Sequence, residues 1–389
     1  MVVKRAFIGS QVLTPETEYR NYAVLVSEGY IEGLVPADKV PCNYEVIDFS
    51  DYIIVPGLID IHIHGYGGHD TTLGTVEDLV EIGRGVSRHG VTAILLANVA
   101  APRDKLLEIA RNVKDAVRRS REKVVGAEIL GLYLEGPFVN PEKKGAHNPK
   151  HLRKPDIGEL EELYRVSEGT LRVVAIAPEL PNALEFIERA KQLGLVVSAA
   201  HTNATYEEAM RAFNAGVTLC THLFNAMRGF HHREPGIVGA ALERDDVYVE
   251  LIVDLIHLHP TTIRLVTKCK PVDKVILITD AIAATGLPDG EYVLGDLPIV
   301  VKGGISRLKD TGALAGSTLT LDRAIKNMVE VTKLPLREVL KMVTVNPATV
   351  LGEKRRGRVD VGYIANLTVL DKELNVVATV VRGEVVYQR

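Results

Sequence analysis

The middle of the chain alternates between short apolar runs and longer amphipathic stretches. Eight apolar runs of strand length lie at residues 58–64, 92–98, 129–135, 172–178, 196–201, 218–222, 247–254 and 275–280. Between most of them, hydrophobic residues recur with helical spacing, as in 76–89, 105–117, 183–193 and 206–215. Continuous apolar strands that alternate with helices are typical of a parallel sheet covered by helices. Eight such units predict an α/β fold, a (β/α)8 TIM barrel, with a doubly wound open sheet as the alternative.

Both ends of the chain show a different pattern, in which short apolar segments are separated by turn residues. Such segments lie at 2–8, 22–26, 31–35 and 45–49 near the amino end, and at 367–370, 376–381 and 384–387 near the carboxyl end. Neither end is expected to bury a stable sheet alone. We therefore predict one small β-sandwich domain formed by both termini, residues 1–54 and 354–389, and a barrel domain over residues 55–353.

Nearly every apolar run of the middle region ends in a polar or ionisable residue. These residues are His62, His64, Asn98, Glu135, His201, His222, Asp254 and Asp280. The carboxyl ends of the strands of a (β/α)8 barrel meet at one face, and barrel enzymes carry their active sites there. The pattern favours the barrel, because an open sheet would leave some of these strand ends far apart.

Four histidines and one glutamate among these residues are candidate metal ligands. Side chains alternate along a strand, so His62 and His64 share one face. Glu135, His201 and His222 form a His₂Glu set, the usual donor set of an open catalytic zinc site. Each residue alone could instead be a hydrogen-bonded core residue or part of a buried salt bridge, but together they predict a divalent metal site. Imidazole and carboxylate suit several metals; we expect zinc or iron, with one or two ions per subunit.

Asp280 ends the eighth run and is the candidate catalytic residue. It could take a proton from metal-bound water and then donate that proton to the leaving group. A turn-capping aspartate is the alternative, which a metal site opposite would disfavour. After Asp280 the chain has two strand-like pieces, 292–293 and 298–301, before a helix expected near Ser317. This excursion is expected to form a lid or a wall of the substrate site.

Composition excludes several functional classes. Hydrophobic residues make up 46% of the 389 residues and charged residues 25%, values that exclude a disordered or fibrous chain. The net charge of −4 lacks the basic excess that nucleic acid or an acidic membrane surface would require. The cysteines Cys42, Cys220 and Cys269 lie far apart, which favours a reducing compartment. We predict a cytoplasmic protein that binds neither nucleic acid nor membrane, with the basic run 354–356 as a solvated surface.

An ordered series of motifs along the chain resembles the amidohydrolase superfamily and, within it, the N-acetylglucosamine-6-phosphate deacetylase family. The motifs are PGLIDIHIHG (56–65), LYLEGPF (132–138), KGAHNP (144–149), SAAHTNA (198–204), THLFNAM (221–227), REPGIVGA (233–240), DLIHLHP (254–260), ITDAI (278–282) and LAGSTLT (314–320). The resemblance implies metal-dependent hydrolysis of the acetamide of N-acetyl-D-glucosamine 6-phosphate in amino-sugar catabolism. Alternatives are a related substrate, such as the galactosamine epimer or another N-acyl compound, and a non-catalytic scaffold.

The resemblance also implies residue roles at the metal site. Glu135, His201 and His222 match the ligands of the main metal, and Asp280 matches the catalytic acid and base. His62 and His64 match a pair that, with the glutamate, holds a second metal in some members. Dihydroorotases and hydantoinases bridge two metals with a modified lysine on strand four; residues 171–178 contain no lysine here, which argues against those families.

Six further residues match the substrate-binding positions of the family. They are Ala146, His147, Asn225, Ala226, Arg233 and His257. The resemblance implies that His147 and His257 contact the substrate. It also implies that Asn225, Ala226 and Arg233 bind the phosphate, with the arginine reaching across a dimer interface, so we expect a homodimer.

Overall fold

Twenty strands in four hydrogen-bonded sheets make up the β-structure of residues 3–389, the part of the chain that the computed structural model describes. In chain order they are β1 (Lys4–Leu13), β2 (Glu18–Ser27), β3 (Tyr30–Pro36), β4 (Glu45–Pro56), β5 (Leu58–Ile63), β6 (Gly65–Tyr66), β7 (His69–Asp70), β8 (Val91–Asn98), β9 (Glu128–Leu134), β10 (Leu171–Ile176), β11 (Val196–Ala199), β12 (Val217–Cys220), β13 (Tyr248–Ile252), β14 (Val275–Ile278), β15 (Gly290–Leu294), β16 (Leu297–Lys302), β17 (Ile305–Leu308), β18 (Leu367–Leu370), β19 (Val376–Val381) and β20 (Glu384–Gln388).

Ten α-helices, counted over the same described residues, lie mostly between the strands of the central sheet. They are α1 (Val76–Val86), α2 (Arg103–Glu122), α3 (Ile157–Ser167), α4 (Ala183–Gln192), α5 (Tyr206–Ala215), α6 (Gly236–Glu243), α7 (Pro260–Cys269), α8 (Leu321–Thr332), α9 (Leu336–Lys341) and α10 (Val345–Val350). The helix expected near Ser317 begins at Leu321. Among residues 3–389, no helix combines the length and the apolar character that crossing a bilayer requires.

The central sheet is a barrel of eight parallel strands in chain order, from β5 through β8 to β14. Its first and last strands are joined at their carboxyl ends, where the Asp280 N–H donates to the His62 carbonyl at 3.0 Å and the His64 N–H donates to the Ala281 carbonyl at 2.8 Å. At the other end, backbone carbonyls of residues 342 and 343 accept hydrogen bonds from β14 and β5. The predicted (β/α)8 barrel is therefore confirmed, and the open-sheet alternative is wrong.

Strands from both ends of the chain form a second sheet, in the order β20-β19-β18-β4-β1-β2-β3. Its buried apolar side chains include Phe7, Val24, Ile31, Phe49, Ile54, Leu367, Val369 and Val380. A β domain built from both termini is therefore confirmed, as a seven-stranded sheet. The division at residues 54 and 354 stays a prediction.

This terminal sheet packs against the amino ends of barrel strands, away from the carboxyl ends that carry the predicted site. The Thr368 hydroxyl donates to the Gly90 carbonyl, just before β8, at 2.6 Å. At the start of β9, the buried Glu128 carboxylate pairs with Arg356 at 2.7 Å and with Arg382 at 3.1 Å. Arg356 was expected on a solvated surface, but this ion pair buries it, so that expectation is wrong.

The excursion after Asp280 contains three strands rather than the two expected pieces. Strands β15, β16 and β17 form an antiparallel sheet of their own. Its apolar side chains Leu294, Ile299 and Val301 pack with Val99 and Ile282 beside the carboxyl end of the barrel. The excursion therefore forms a packed wall next to the predicted site.

Candidate metal centre and active site

The predicted ligands lie just after the barrel strands, where the backbone leaves the sheet. Strands β11, β12 and β14 end at positions 199, 220 and 278, whereas the functional side chains belong to His201, His222 and Asp280. All three residues have positive φ angles, 45°, 31° and 52°. A strand cannot contain this left-handed conformation, which is costly for residues other than glycine and concentrates at functional sites. The strands were therefore predicted about two residues too long at these tips.

Glu135 lies at the centre of the first ligand group, with His201 and His222. Its Oε1 atom is 3.2 Å from His201 Nε2 and 2.9 Å from His222 Nε2, and the two Nε2 atoms are 3.2 Å apart. Donor atoms about 2.0–2.1 Å from one tetrahedrally coordinated cation would be separated by about 3.3 Å. The three donors therefore fit a single divalent cation.

A second group places His62 and His64 beside Asp280. His64 Nε2 lies 3.0 Å from Asp280 Oδ1 and 3.2 Å from Glu135 Oε2, while His62 Nε2 lies 3.5 Å from Glu135 Oε1. Among residues 3–389, the buried His62 Nε2 atom has no hydrogen-bond partner. Because Glu135 reaches both groups, its carboxylate is placed where it could be shared by two cations.

Hydrogen bonds at the far side of two rings fix which nitrogen can bind a metal. The Nδ1–H of His64 donates to the Ala97 carbonyl at 3.0 Å, and that of His201 donates to the Lys143 carbonyl at 2.9 Å. A carbonyl can only accept, so the proton of each neutral ring is on Nδ1 and the lone pair is on Nε2. This arrangement orients histidine ligands in metal sites.

His147 has the opposite tautomer. The Ala100 backbone N–H donates to His147 Nδ1 at 3.0 Å, so the proton of the neutral ring is on Nε2. Burial, aided by the nearby imidazole of His201, holds the pKa of His147 well below its ordinary value, so the ring is neutral. Its Nε2 lies 3.8 Å from Glu135 Oε2. His147 is therefore equipped to donate a hydrogen bond at this site rather than to coordinate a metal.

The carboxylates and imidazoles of the site strongly perturb one another's pKa values. Burial alone would lower the pKa of His64, but hydrogen bonds to Asp280 and Glu135 raise it to about 9. Burial would raise the pKa of Glu135, yet the surrounding histidines hold it well below its ordinary value. The pKa of Asp280 is also lowered, because contacts with His64 and His62 outweigh its burial. Both carboxyl groups are therefore ionised at neutral pH.

A cavity of about 350 Å³ opens above these side chains. This volume lies in the range of small-molecule sites. The predicted substrate-binding residues Ala146, His147, Asn225, Ala226 and His257 line it, together with the candidate ligands His64, Glu135, His201 and His222 and with Asp280. The cavity therefore brings the predicted chemistry and most of the predicted binding residues together.

Arg233 is the predicted binding residue that does not line this cavity within the described chain. It is exposed, and its guanidinium Nη1 lies 2.7 Å from His232 Nε2 on the same loop. The predicted reach of Arg233 across a dimer interface stays a prediction.

The excursion after Asp280, which is expected from the sequence to form a lid or a wall, supplies part of the cavity lining. Leu294 of β15 and the segment around Leu314 and Gly316 face the cavity. Gly316 has a φ of 54°, and a Cβ atom there would lie 2.4 Å from Ile282, so only glycine fits. The motif at 314–320 carried a usable signal for this wall. Glu250, whose buried carboxylate contacts His62, had no such signal because it lies within an apolar run.

Comparisons with known proteins agree with this geometry. Residues 53–386 match the Amidohydrolase family. An N-acetylglucosamine-6-phosphate deacetylase of Vibrio furnissii is 38% identical over 382 residues, which cover 98% of this chain and 94% of that protein. An N-acetylgalactosamine-6-phosphate deacetylase of Escherichia coli O157:H7 is 37% identical over 375 residues, 96% of this chain and 97% of that protein.

A solved structure gives the same result. It is of a mutant N-acetyl-D-glucosamine-6-phosphate deacetylase from Mycobacterium smegmatis in complex with N-acetyl-D-glucosamine-6-phosphate. It superposes with a TM-score of 0.92 at 34% identity and covers 99% of this chain and 100% of its own. The chain therefore belongs to the amidohydrolase family, and the relatives that it matches along nearly its whole length are amino-sugar 6-phosphate deacetylases.

Proposed function

We propose that this protein hydrolyses the acetamide of N-acetyl-D-glucosamine 6-phosphate, releasing D-glucosamine 6-phosphate and acetate in amino-sugar catabolism. The observation that carries the proposal is the contact of one buried carboxylate, Glu135, with histidines of two candidate metal groups beside Asp280. The named activity of the relatives from Vibrio furnissii and Mycobacterium smegmatis supports the substrate. The complete candidate ligand set argues against a non-catalytic scaffold.

The proposed reaction adds water across the amide. A divalent cation held by Glu135, His201 and His222 would supply Lewis-acid polarisation of the acyl oxygen and would lower the pKa of water. Asp280, which is ionised, accepts a proton from the attacking water as its oxygen bonds to the acyl carbon. Asp280 then donates that proton to the amide nitrogen as the carbon–nitrogen bond breaks, which leaves the free amine and acetic acid; the acid then loses its proton to solvent and becomes acetate.

The neighbouring histidines position the acyl group. The Nε2–H of neutral His147 donates to the acyl oxygen as negative charge develops there. The Nδ1–H of His257 donates to Asp254 Oδ2 at 2.6 Å, which leaves its Nε2 free for the substrate in the same cavity. Asn225 and Ala226 line the part of the cavity where we propose that the phosphate binds.

We propose zinc or iron as the metal, with room for two ions. Imidazole nitrogen and carboxylate oxygen suit both metals. The two oxygens of Glu135 reach both histidine groups, which supports a second ion held by His62 and His64. We also propose a cytoplasmic location, which the three free cysteines support.

A homodimer would complete the site. Arg233 does not line the cavity of its own chain as described, and Phe230 on the same loop is 60% exposed. Leu255 and Ile256 are also exposed apolar residues. Association of two copies through these residues would bury apolar surface and could bring Arg233 to the phosphate of the partner's substrate.

The test of the function is acetate release from N-acetylglucosamine 6-phosphate by protein whose metal content has been measured. Matched assays use metal-stripped protein, the galactosamine epimer and unphosphorylated N-acetylglucosamine. We expect metal-dependent turnover and a strong preference for the phosphorylated sugar. Faster turnover of the galactosamine epimer would favour the second candidate, which the relative from Escherichia coli O157:H7 supports. If metal-loaded protein releases acetate from none of the three sugars, the proposal is contradicted.

A further inference from the structure

A buried carboxylate outside the predicted site contacts one of the candidate ligands. Glu250 lies in β13 and is completely buried. Its Oε2 atom is 3.1 Å from Nδ1 of His62, which is also completely buried. The Glu250 carboxylate lies inside the barrel and is not among the residues that line the substrate cavity in the described chain. It therefore cannot contact the substrate directly.

The same oxygen makes a second contact with the site. The backbone N–H of His222 donates to Glu250 Oε2 at 3.3 Å, and the Leu223 N–H donates to the Glu250 backbone carbonyl at 2.9 Å. His222 has the costly left-handed backbone conformation, with a φ of 31°. One carboxylate oxygen therefore links the ring of one candidate ligand to the strained backbone of another.

The contact determines which nitrogen of His62 is available. A carboxylate can only accept, so Nδ1 carries a proton, and in the neutral ring that a metal would bind, the Nε2 lone pair lies on the side of Glu135 Oε1, 3.5 Å away. The ring also packs against Tyr133 with a centroid distance of 4.6 Å, which opposes reorientation. Loss of the acceptor would allow the proton to move to Nε2, where it would block coordination.

We propose that Glu250 is a positioning residue of the metal centre, which fixes the tautomer and the orientation of His62 and supports the backbone of His222. This role differs from that of the carbonyl acceptors behind His64 and His201, because a negatively charged acceptor also makes the imidazole a more basic ligand. The inference rests on the proposed metal site but not on the identity of the substrate.

The experiment compares Glu250→Leu and Glu250→Gln with Glu159→Gln. Glu159 in α3 is a buried glutamate paired with Arg153, away from the cavity, and its partner keeps some access to solvent. For each protein, titration of Zn²⁺ against a chelator gives the number of ions and their dissociation constants. In the Zn²⁺-loaded proteins, ¹⁵N spectra of labelled histidine report which nitrogen of each ring carries the proton and which one binds the metal.

We expect Glu250→Leu to weaken the binding of at least one Zn²⁺ by about 10- to 100-fold and to shift the His62 proton towards Nε2. In Glu250→Gln the amide oxygen can still accept both hydrogen bonds, so the tautomer should persist and the Zn²⁺ affinity should fall by a smaller factor, below about tenfold. Glu159→Gln should change neither readout.

The inference is wrong if Glu250→Leu folds and keeps both the wild-type Zn²⁺ affinities and the Nδ1–H tautomer. If that variant does not fold, Glu250→Gln decides, since unchanged Zn²⁺ affinity there would also overturn the inference. Wild-type protein that binds no metal would instead refute the proposed metal site. Wild-type protein that binds metal but releases no acetate would refute the proposed function and leave the Glu250 measurements valid.

Discussion

Replacement of Asp280 by asparagine tests the proposed proton transfers most directly. The Asp280 carboxylate is buried at the base of the cavity, with Oδ1 3.0 Å from His64 Nε2. Asparagine has nearly the same shape and keeps an oxygen at this place, so the cavity and the histidine positions should persist. It has no negative charge and cannot accept a proton from water.

The expected loss follows from the two proton transfers that Asp280 performs. General acid–base catalysis contributes about 10²- to 10⁴-fold, and the same group acts here first as base and then as acid. Glu135 cannot replace it, because four histidine Nε2 atoms already lie within 3.5 Å of its oxygens. We therefore expect kcat to fall by about 10³- to 10⁴-fold, equal to about 4–5.5 kcal/mol at about 1.36 kcal/mol per tenfold.

The assay measures acetate release alongside metal content and thermal stability for Asp280→Asn. The exposed Asp38, in the segment between β3 and β4 of the terminal sheet, gives a control variant, Asp38→Asn, with the same chemical change. The reasoning predicts a loss in kcat with nearly wild-type metal content and little change in KM. Turnover within about tenfold of wild type, with metal fully loaded, would refute the assignment of Asp280 as acid and base.

Three further predictions concern the dimer, the metal and the fold. Homodimers of Arg233→Ala and of Asp280→Asn should each have low activity. Mixing the two variants should restore activity, because one site of each mixed dimer then has both Asp280 and the partner's arginine. If subunit exchange restores no activity, Arg233 does not belong to a shared site. Removal of the metal with a chelator should abolish turnover and lower Tm. Addition of Zn²⁺ at about 100 times its Kd should raise the free energy of unfolding by about 2.7 kcal/mol, measured by thermal unfolding. An unchanged Tm after chelation would contradict a resident metal. Glu128→Gln should lower the free energy of unfolding at pH 7 by about 1–3 kcal/mol in urea titrations, because the buried Arg356 then keeps only Glu353 as an anionic partner. Burial would raise the pKa of Glu128, but Arg356 and Arg382 lower it. The stabilisation is therefore present above the pKa of Glu128 in the unfolded chain and is lost as pH falls through its pKa in the folded protein. Equal stability of wild type and variant at pH 7 would contradict this role of Glu128.

The barrel and its site could be predicted because each signal is local in the sequence. Strand β8 is an unbroken apolar run and α5 has clear helical spacing, so their places in the fold follow from short windows. The shared face of His62 and His64 follows from strand alternation alone. Once eight parallel strands close into a barrel, their carboxyl ends meet at one face, which brings Glu135 to the histidines.

Other features depend on contacts between distant parts of the chain. Glu250 is one polar residue in an apolar run, and only closure of the barrel shows that it faces His62. Arg356 belongs to a basic run that looks like a surface, yet Glu128 draws it into the contact between the terminal sheet and the barrel. The left-handed turns at His201 and His222 are also set by the surrounding structure, because this conformation is costly for a histidine and persists only where its neighbours impose it.

The excursion of β15 to β17 forms a wall of the cavity and contributes none of the candidate metal ligands or Asp280. Leu294 faces the cavity from this sheet, whereas the catalytic groups are anchored at the ends of the barrel strands. One wall of the cavity and the groups proposed for bond breaking are thus encoded in separate stretches of the gene product. An exchange of residues 290–308 between relatives that act on different sugars would therefore alter this wall, through Leu294, without rebuilding the reactive centre.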